Sequence, residues 1–181
     1  MHSDGLSILL GLLAATFVTS GYHKLVAPFT AALAIVRFRV VRRVRPRLGT
    51  VLGAGEMTLG VWLACGLVPV ASTGLALVVL VGFFALVAAA LARGERFSCA
   101  CLGAGGAQLS WVSLLRNGAL VAVATLALWG AAASPGAMAV PTRVLGLAIG
   151  ALVVTISMTA AVLAQQRVFA VAVTRSARAP R

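Results

Sequence analysis

Apolar residues run nearly unbroken along this chain, and polar residues interrupt them at only a few points. A helix needs about 20 apolar residues to cross the hydrocarbon core of a bilayer. Five stretches predict such spans: residues 6–22, 49–68, 71–92, 111–131 and 144–164. The first is short and predicts little tilt or a locally thinned bilayer. Trp111 and Trp129 bracket the fourth. At 1.5 Å per residue they stand roughly 27 Å apart, which suits anchoring in the aromatic belts at both interfaces.

The interruptions have patterns of their own. Within residues 26–48, Phe29, Leu33, Val36, Val40 and Val44 recur at spacings of four and three, while Arg39, Arg42 and Arg43 take the other side. This predicts an amphipathic helix lying in the interface and ended by Pro46, against the alternative of a solvated basic loop. Residues 93–110 form a glycine-rich loop, and 165–181 a basic tail. No repeat or low-complexity segment is evident. The fold class is therefore all-α, a polytopic membrane helical bundle of about five transmembrane helices plus one interfacial helix occupying residues 1–164.

Composition agrees. The chain is 61% hydrophobic and 10% charged, with a mean hydropathy of +1.07, so it lacks the polar residues to cover a globular surface in water. Its net charge of +12 comes from 15 Lys+Arg against 3 Asp+Glu. Lys24, Arg37, Arg39, Arg42, Arg43, Arg45 and Arg47 form one cluster, and Arg167, Arg175, Arg178 and Arg181 another. Both flank apolar spans, where positive charge sets topology and meets anionic lipid headgroups. No aromatic platforms for stacking bases accompany them, which argues against nucleic acid as a partner. The same arginines predict a multi-pass protein with the N-terminus outside and the tail cytoplasmic. That count puts the 93–110 loop inside, with Arg93 and Arg96 as its only support. The N-terminus has no positive n-region, so the first apolar run reads as a retained helix and not as a signal peptide.

Candidate chemistry centres on Cys99-Ala100-Cys101 in the glycine-rich loop. A disulfide between such neighbours closes a very small ring, which strains it and eases its reduction. Arg93, Arg96 and Arg116 would favour a thiolate, and Gly103, Gly105 and Gly106 leave room for a partner. Against this stands the reading of both cysteines as small apolar filler, or of one as a lipidation site. A metal site is disfavoured, because two thiolates lack the further ligands zinc needs, and no cofactor motif is present.

Glu56 is one of three acidic residues and lies inside the second span. A carboxylate there must face the bundle and find a partner, with Lys24 and Arg116 as the choices, whether as a structural ion pair or as a proton relay. Arg116-Asn117 opens the fourth span, where Asn117 suits helix-to-helix hydrogen bonding. Gly53, Gly55 and Gly60 would let the second span approach a neighbour closely.

The order Ser20-Gly21-x-x-Lys24-Leu25, Glu56-x-x-x-Gly60, Arg93-Gly94-x-x-x-x-Cys99-x-Cys101-x-Gly103 and Arg116-Asn117 resembles the MauE branch of the DoxX-like membrane proteins, over roughly residues 6–164. The resemblance implies a small DoxX-like bundle of the cytoplasmic membrane that works with thioredoxin-like partners. It also implies a link to maturation of the disulfide-rich small subunit of methylamine dehydrogenase. By position, Cys99 and Cys101 would be the redox pair, with Lys24, Glu56, Arg116 and Asn117 organising the bundle. The family commonly has Cys-Gly-Cys-Phe-Gly where this chain has Cys99-Ala100-Cys101-Leu102-Gly103, and alanine narrows the backbone freedom between the sulfurs. The leading expectation is a membrane thiol–disulfide relay. The alternative is a non-enzymatic assembly or anchoring subunit with structural cysteines, and a transporter or quinone-linked subunit ranks third. An extracytoplasmic partner would need the pair outside, in conflict with the charge count.

Overall fold

The computed structural model describes residues 3–95, 109–133, 144–152 and 155–156. Its helices are α1 (Ser3–Val26), α2 (Pro28–Arg37), α3 (Pro46–Cys65), α4 (Pro69–Ala92) and α5 (Trp111–Ala133), followed by helical residues 144–152. Among the described residues, α1, α3, α4 and α5 are long and apolar enough to cross a membrane. The chain is thus a helical membrane bundle. Of the expected 144–164 span only 144–152 and 155–156 are described, and the 165–181 tail lies outside the described residues.

Proline starts three of the helices. Pro28, Pro46 and Pro69 each occupy the first turn, where the missing N–H is an orphan anyway and the fixed φ suits the helix. Pro46 therefore begins α3 and does not close an interfacial helix running over 26–48. Within that stretch the helix present is the ten-residue α2, which stops at Arg37. Its end is a Schellman turn: Arg39 N–H donates to Val36 O at 2.9 Å and Val40 N–H to Ile35 O at 3.2 Å. Arg39 sits at φ 62°, in the left-handed region usually left to glycine. At the end of α4 the same turn uses glycine. Gly94, at φ 70°, donates to Leu91 O, and Glu95 N–H donates to Ala90 O. The first span is also longer than the apolar run implied, because the helix continues through His23 and Lys24 to Val26.

α1 packs most extensively on α3, and α4 on α5. Leu13, Phe17, Leu59, Leu63, Leu80, Ala124 and Ala127 form the main core between these four helices. The outward faces of the spans carry large exposed apolar residues such as Val51, Val78 and Leu115, as lipid-facing surfaces should. Trp111 and Trp129 are exposed too, one near each end of α5.

The α1–α3 crossing depends on missing side chains. A Cβ on Gly21 would lie 2.6 Å from Gly53 O and 2.7 Å from Met57 N, and one on Gly60 2.8 Å from the Val18 side chain. Gly55 has nothing within 4 Å, so only two of the three glycines expected at a helix contact make one. The pairing of Gly21 with Gly53 and of Val18 with Gly60 makes α1 and α3 antiparallel. Residues 144–152 run parallel to α1, with Gly146 against Ser7 and Gly150 against Gly11.

Overpacking a tight interface costs about 1–3 kcal/mol. Gly21→Ala should lower stability by that amount in SDS titration of the detergent-solubilised protein, and Gly55→Ala should leave it unchanged.

Candidate functional site

One end of the bundle gathers the polar residues. Lys24 comes from the last turn of α1 and Glu56 from the middle of α3. Lys24 Nζ donates to Glu56 Oε2 at 2.5 Å and to Ser20 Oγ at 2.6 Å. The two side chains are 4% and 3% exposed, so the pair is buried. The Lys24 ammonium also stands 5.5 Å from the Phe83 ring centroid, near enough for a cation–π contact. Of the two partners open to Glu56 in the sequence, the fold selects Lys24, because the Gly21–Gly53 contact brings the backbones of α1 and α3 together beside it.

Beside the pair lies a cavity of about 40 Å³ lined by Thr16, Ser20, Lys24, Glu56, Phe83, Arg116 and Asn117, among others. The four polar residues singled out in the sequence thus share one cavity. Asn117 is buried, and Arg116 forms no ion pair among the described residues. Glu56 Oε1 is buried and has no hydrogen-bond partner among them. An orphaned buried carboxylate oxygen is costly. A water needs only about 10–15 Å³, so the cavity has room for small hydrogen-bond donors. In the sequence Ser20 stands out only as part of the Ser20-Gly21-x-x-Lys24-Leu25 motif, and Phe83 not at all, although Ser20 lies four residues before Lys24 on the same helix face.

The second feature of this end is the α2–α3 loop. Phe38 is buried against Val87, Ala90 and Leu109, and Arg39 pairs with Glu95 at 3.2 Å. Glu95 also accepts a hydrogen bond from Arg93 Nε at 2.8 Å. That bond, reinforced by the charges of Arg93 and Arg39, holds the Glu95 carboxyl below the ordinary glutamate range. Cys99 and Cys101 lie outside the described residues, but the two ends of their segment, Glu95 and Leu109, are both held by this loop. Cys65 closes α3 at the opposite end of the bundle.

Residues 4–130 match the family profile of the methylamine utilisation protein MauE. The chain belongs to the MauE family. The match takes in Lys24, Glu56, Cys99, Cys101, Arg116 and Asn117 and stops within α5, short of the 6–164 range of the motif resemblance. No curated protein and no solved structure matches the chain significantly. This MauE protein is thus a multi-pass membrane protein whose polar residues converge at the end where Glu95 and Leu109 are held. Groups of three or more potential metal ligands are absent among the described residues.

Removing one partner of a buried ion pair costs about 3–5 kcal/mol, whereas replacing both by apolar residues of similar size is often neutral. Glu56→Ala in this MauE protein should lose that much stability in SDS titration, and Lys24→Met/Glu56→Leu should recover most of it. Because the folded pKa of Glu95 is depressed, its contribution is complete above the unfolded value and is lost as pH falls through the folded one. Amide-exchange protection at residues 93–95, corrected for intrinsic rates, should therefore hold at pH 7 and decay below about pH 4.3. Glu95→Gln should remove that pH dependence.

Proposed function

We propose that this MauE protein is a membrane thiol–disulfide relay in which Cys99 and Cys101 exchange electrons with a thioredoxin-like partner in a methylamine-utilisation setting. The observation that carries the reading is the anchoring of the C-x-C segment. Both its flanks are held by the arginine-rich α2–α3 loop, through Arg39–Glu95 and Phe38–Leu109, at the end of the bundle where Lys24, Glu56, Arg116 and Asn117 meet. Cationic surroundings favour the thiolate, which is the attacking species.

The exchange balances as follows. The Cys99 thiolate attacks one sulfur of the partner's disulfide, forming a mixed disulfide, and the partner's other sulfur leaves as a thiolate and takes a proton. Cys101, deprotonated, then attacks the Cys99 sulfur. A Cys99–Cys101 disulfide forms, and the partner's second thiolate leaves and is protonated. Two electrons pass from the pair to the partner, and two protons move with them. The reverse sequence reduces the pair, and the relative potentials of the two couples set the direction.

The positive-inside rule supports a cytoplasmic face for this end, in the cytoplasmic membrane. A membrane-impermeant maleimide should then label Cys99 in inverted vesicles and not in intact cells. Cys101→Ser should trap Cys99 in a mixed disulfide with the partner, seen as a band that reductant removes. Absence of a trapped species from both single serine variants, with full function in the double variant, would overturn the relay. It would favour an assembly or anchoring subunit, a role already compatible with the fully buried Lys24–Glu56 pair.

A further inference from the structure

A second and larger cavity, of about 340 Å³, lies between α2, the α2–α3 loop, α3 and α4. Its walls are almost wholly apolar, with Ala34 and Ile35 from α2, Phe38 from the loop, Val51 from α3 and Leu86 from α4, and Lys24 is the charged residue of its lining. That volume lies at the low end of the range of about 300–1,000 Å³ typical of small-molecule pockets. It sits at the end of the bundle that carries α2 and the basic cluster, residues of the kind that collect at a membrane interface.

Charge identifies the occupant. Val41 and Leu48 both line the cavity, and the chain between them carries Arg42, Arg43, Arg45 and Arg47 with no acidic residue. All four are exposed, and none makes an ion pair among the described residues. An apolar cleft beside guanidinium groups that make no ion pair among the described residues suits a molecule with a hydrocarbon chain and an anionic head, and guanidinium pairs with phosphate through two parallel hydrogen bonds. Lys24 does not compete for the head, because its ammonium is engaged by Glu56 and Ser20.

We propose that this cleft is a discrete binding site for an anionic phospholipid, one acyl chain lying between α2, α3 and α4 and the phosphate held by the arginines of residues 42–47. The site is separate from the C-x-C chemistry and stands or falls without it. The lipid would brace the same loop that holds Glu95 and Leu109.

The test uses the full chain in phosphatidylcholine vesicles with a trace of phosphatidylglycerol bearing a photoreactive diazirine midway along one acyl chain. Mass spectrometry after illumination should find the label on peptides containing Ala34–Phe38 and Leu86. Excess unlabelled phosphatidylglycerol should abolish it, and excess phosphatidylcholine should not. Arg42→Gln/Arg43→Gln should reduce labelling about 30-fold, from the loss of two headgroup charges. Ala34→Phe should fill the slot and remove the label at Leu86. Equal competition by phosphatidylcholine, unchanged labelling in the arginine variant, or label spread over the outer faces of all the spans would overturn the proposal and leave only ordinary annular lipid. Protection of the cleft by the chain's own residues 157–181, relieved when they are deleted, would overturn it equally.

Discussion

Two opposite charges buried at 2.5 Å from one another, Lys24 on α1 and Glu56 on α3, constrain how the rest of this bundle can be arranged. Neither charge tolerates a hydrocarbon surrounding alone, so α1 and α3 can settle only in the register that brings the two together. Gly21 and Gly53 allow the backbones close enough for that register, and the antiparallel pair then offers the core face on which α4 and α5 pack. The cavity containing Arg116 and Asn117 follows from this arrangement, since α5 packs on α1 and brings both residues to the lining that Lys24 and Glu56 share. Van der Waals packing drives association in lipid, where apolar helices gain little by leaving the solvent. The ion pair supplies the specificity that packing alone would not.

The other organising device is the turn after α2. A non-glycine residue in the left-handed region costs about 1–2 kcal/mol, and Arg39 occupies it. The contacts that result offset this: Phe38 is buried against α4 and the residue preceding α5, and the Arg39 guanidinium reaches Glu95. One loop thereby couples α2, the apolar cleft beside it and both flanks of the C-x-C segment. Oxidation state at the cysteines and lipid occupancy in the cleft would act on the same few residues, a coupling that rests on both proposals.

Much was legible from the chain because the bilayer makes the code simple. Long apolar runs at Gly49–Val68, Ala71–Ala92 and Trp111–Ala131 mark spans wherever they occur, and the lone Glu56 had to be paired. Structure departs from sequence expectation where a local signal has two meanings. Pro46 after a run of arginines can end one helix or begin the next, and only the packing of α3 against α1 and α2 selects the second. Tyr22-His23-Lys24 resembles an interfacial end, yet the helix continues because Lys24 has a buried partner thirty-two residues away.

By itself the sequence determined the class of solvent, the helical character of the spans, the family motifs and the polar residues that would have to meet. These follow from composition and short-range spacing, which act through transfer free energy and helix geometry. Tertiary structure alone decided that Glu56 pairs with Lys24 and not Arg116, that Gly53 and Gly60 are contacts while Gly55 is not, and that Arg39 and Phe38 hold the ends of the cysteine segment. Those outcomes depend on which helix faces come together, and no residue's neighbours in sequence carry that information.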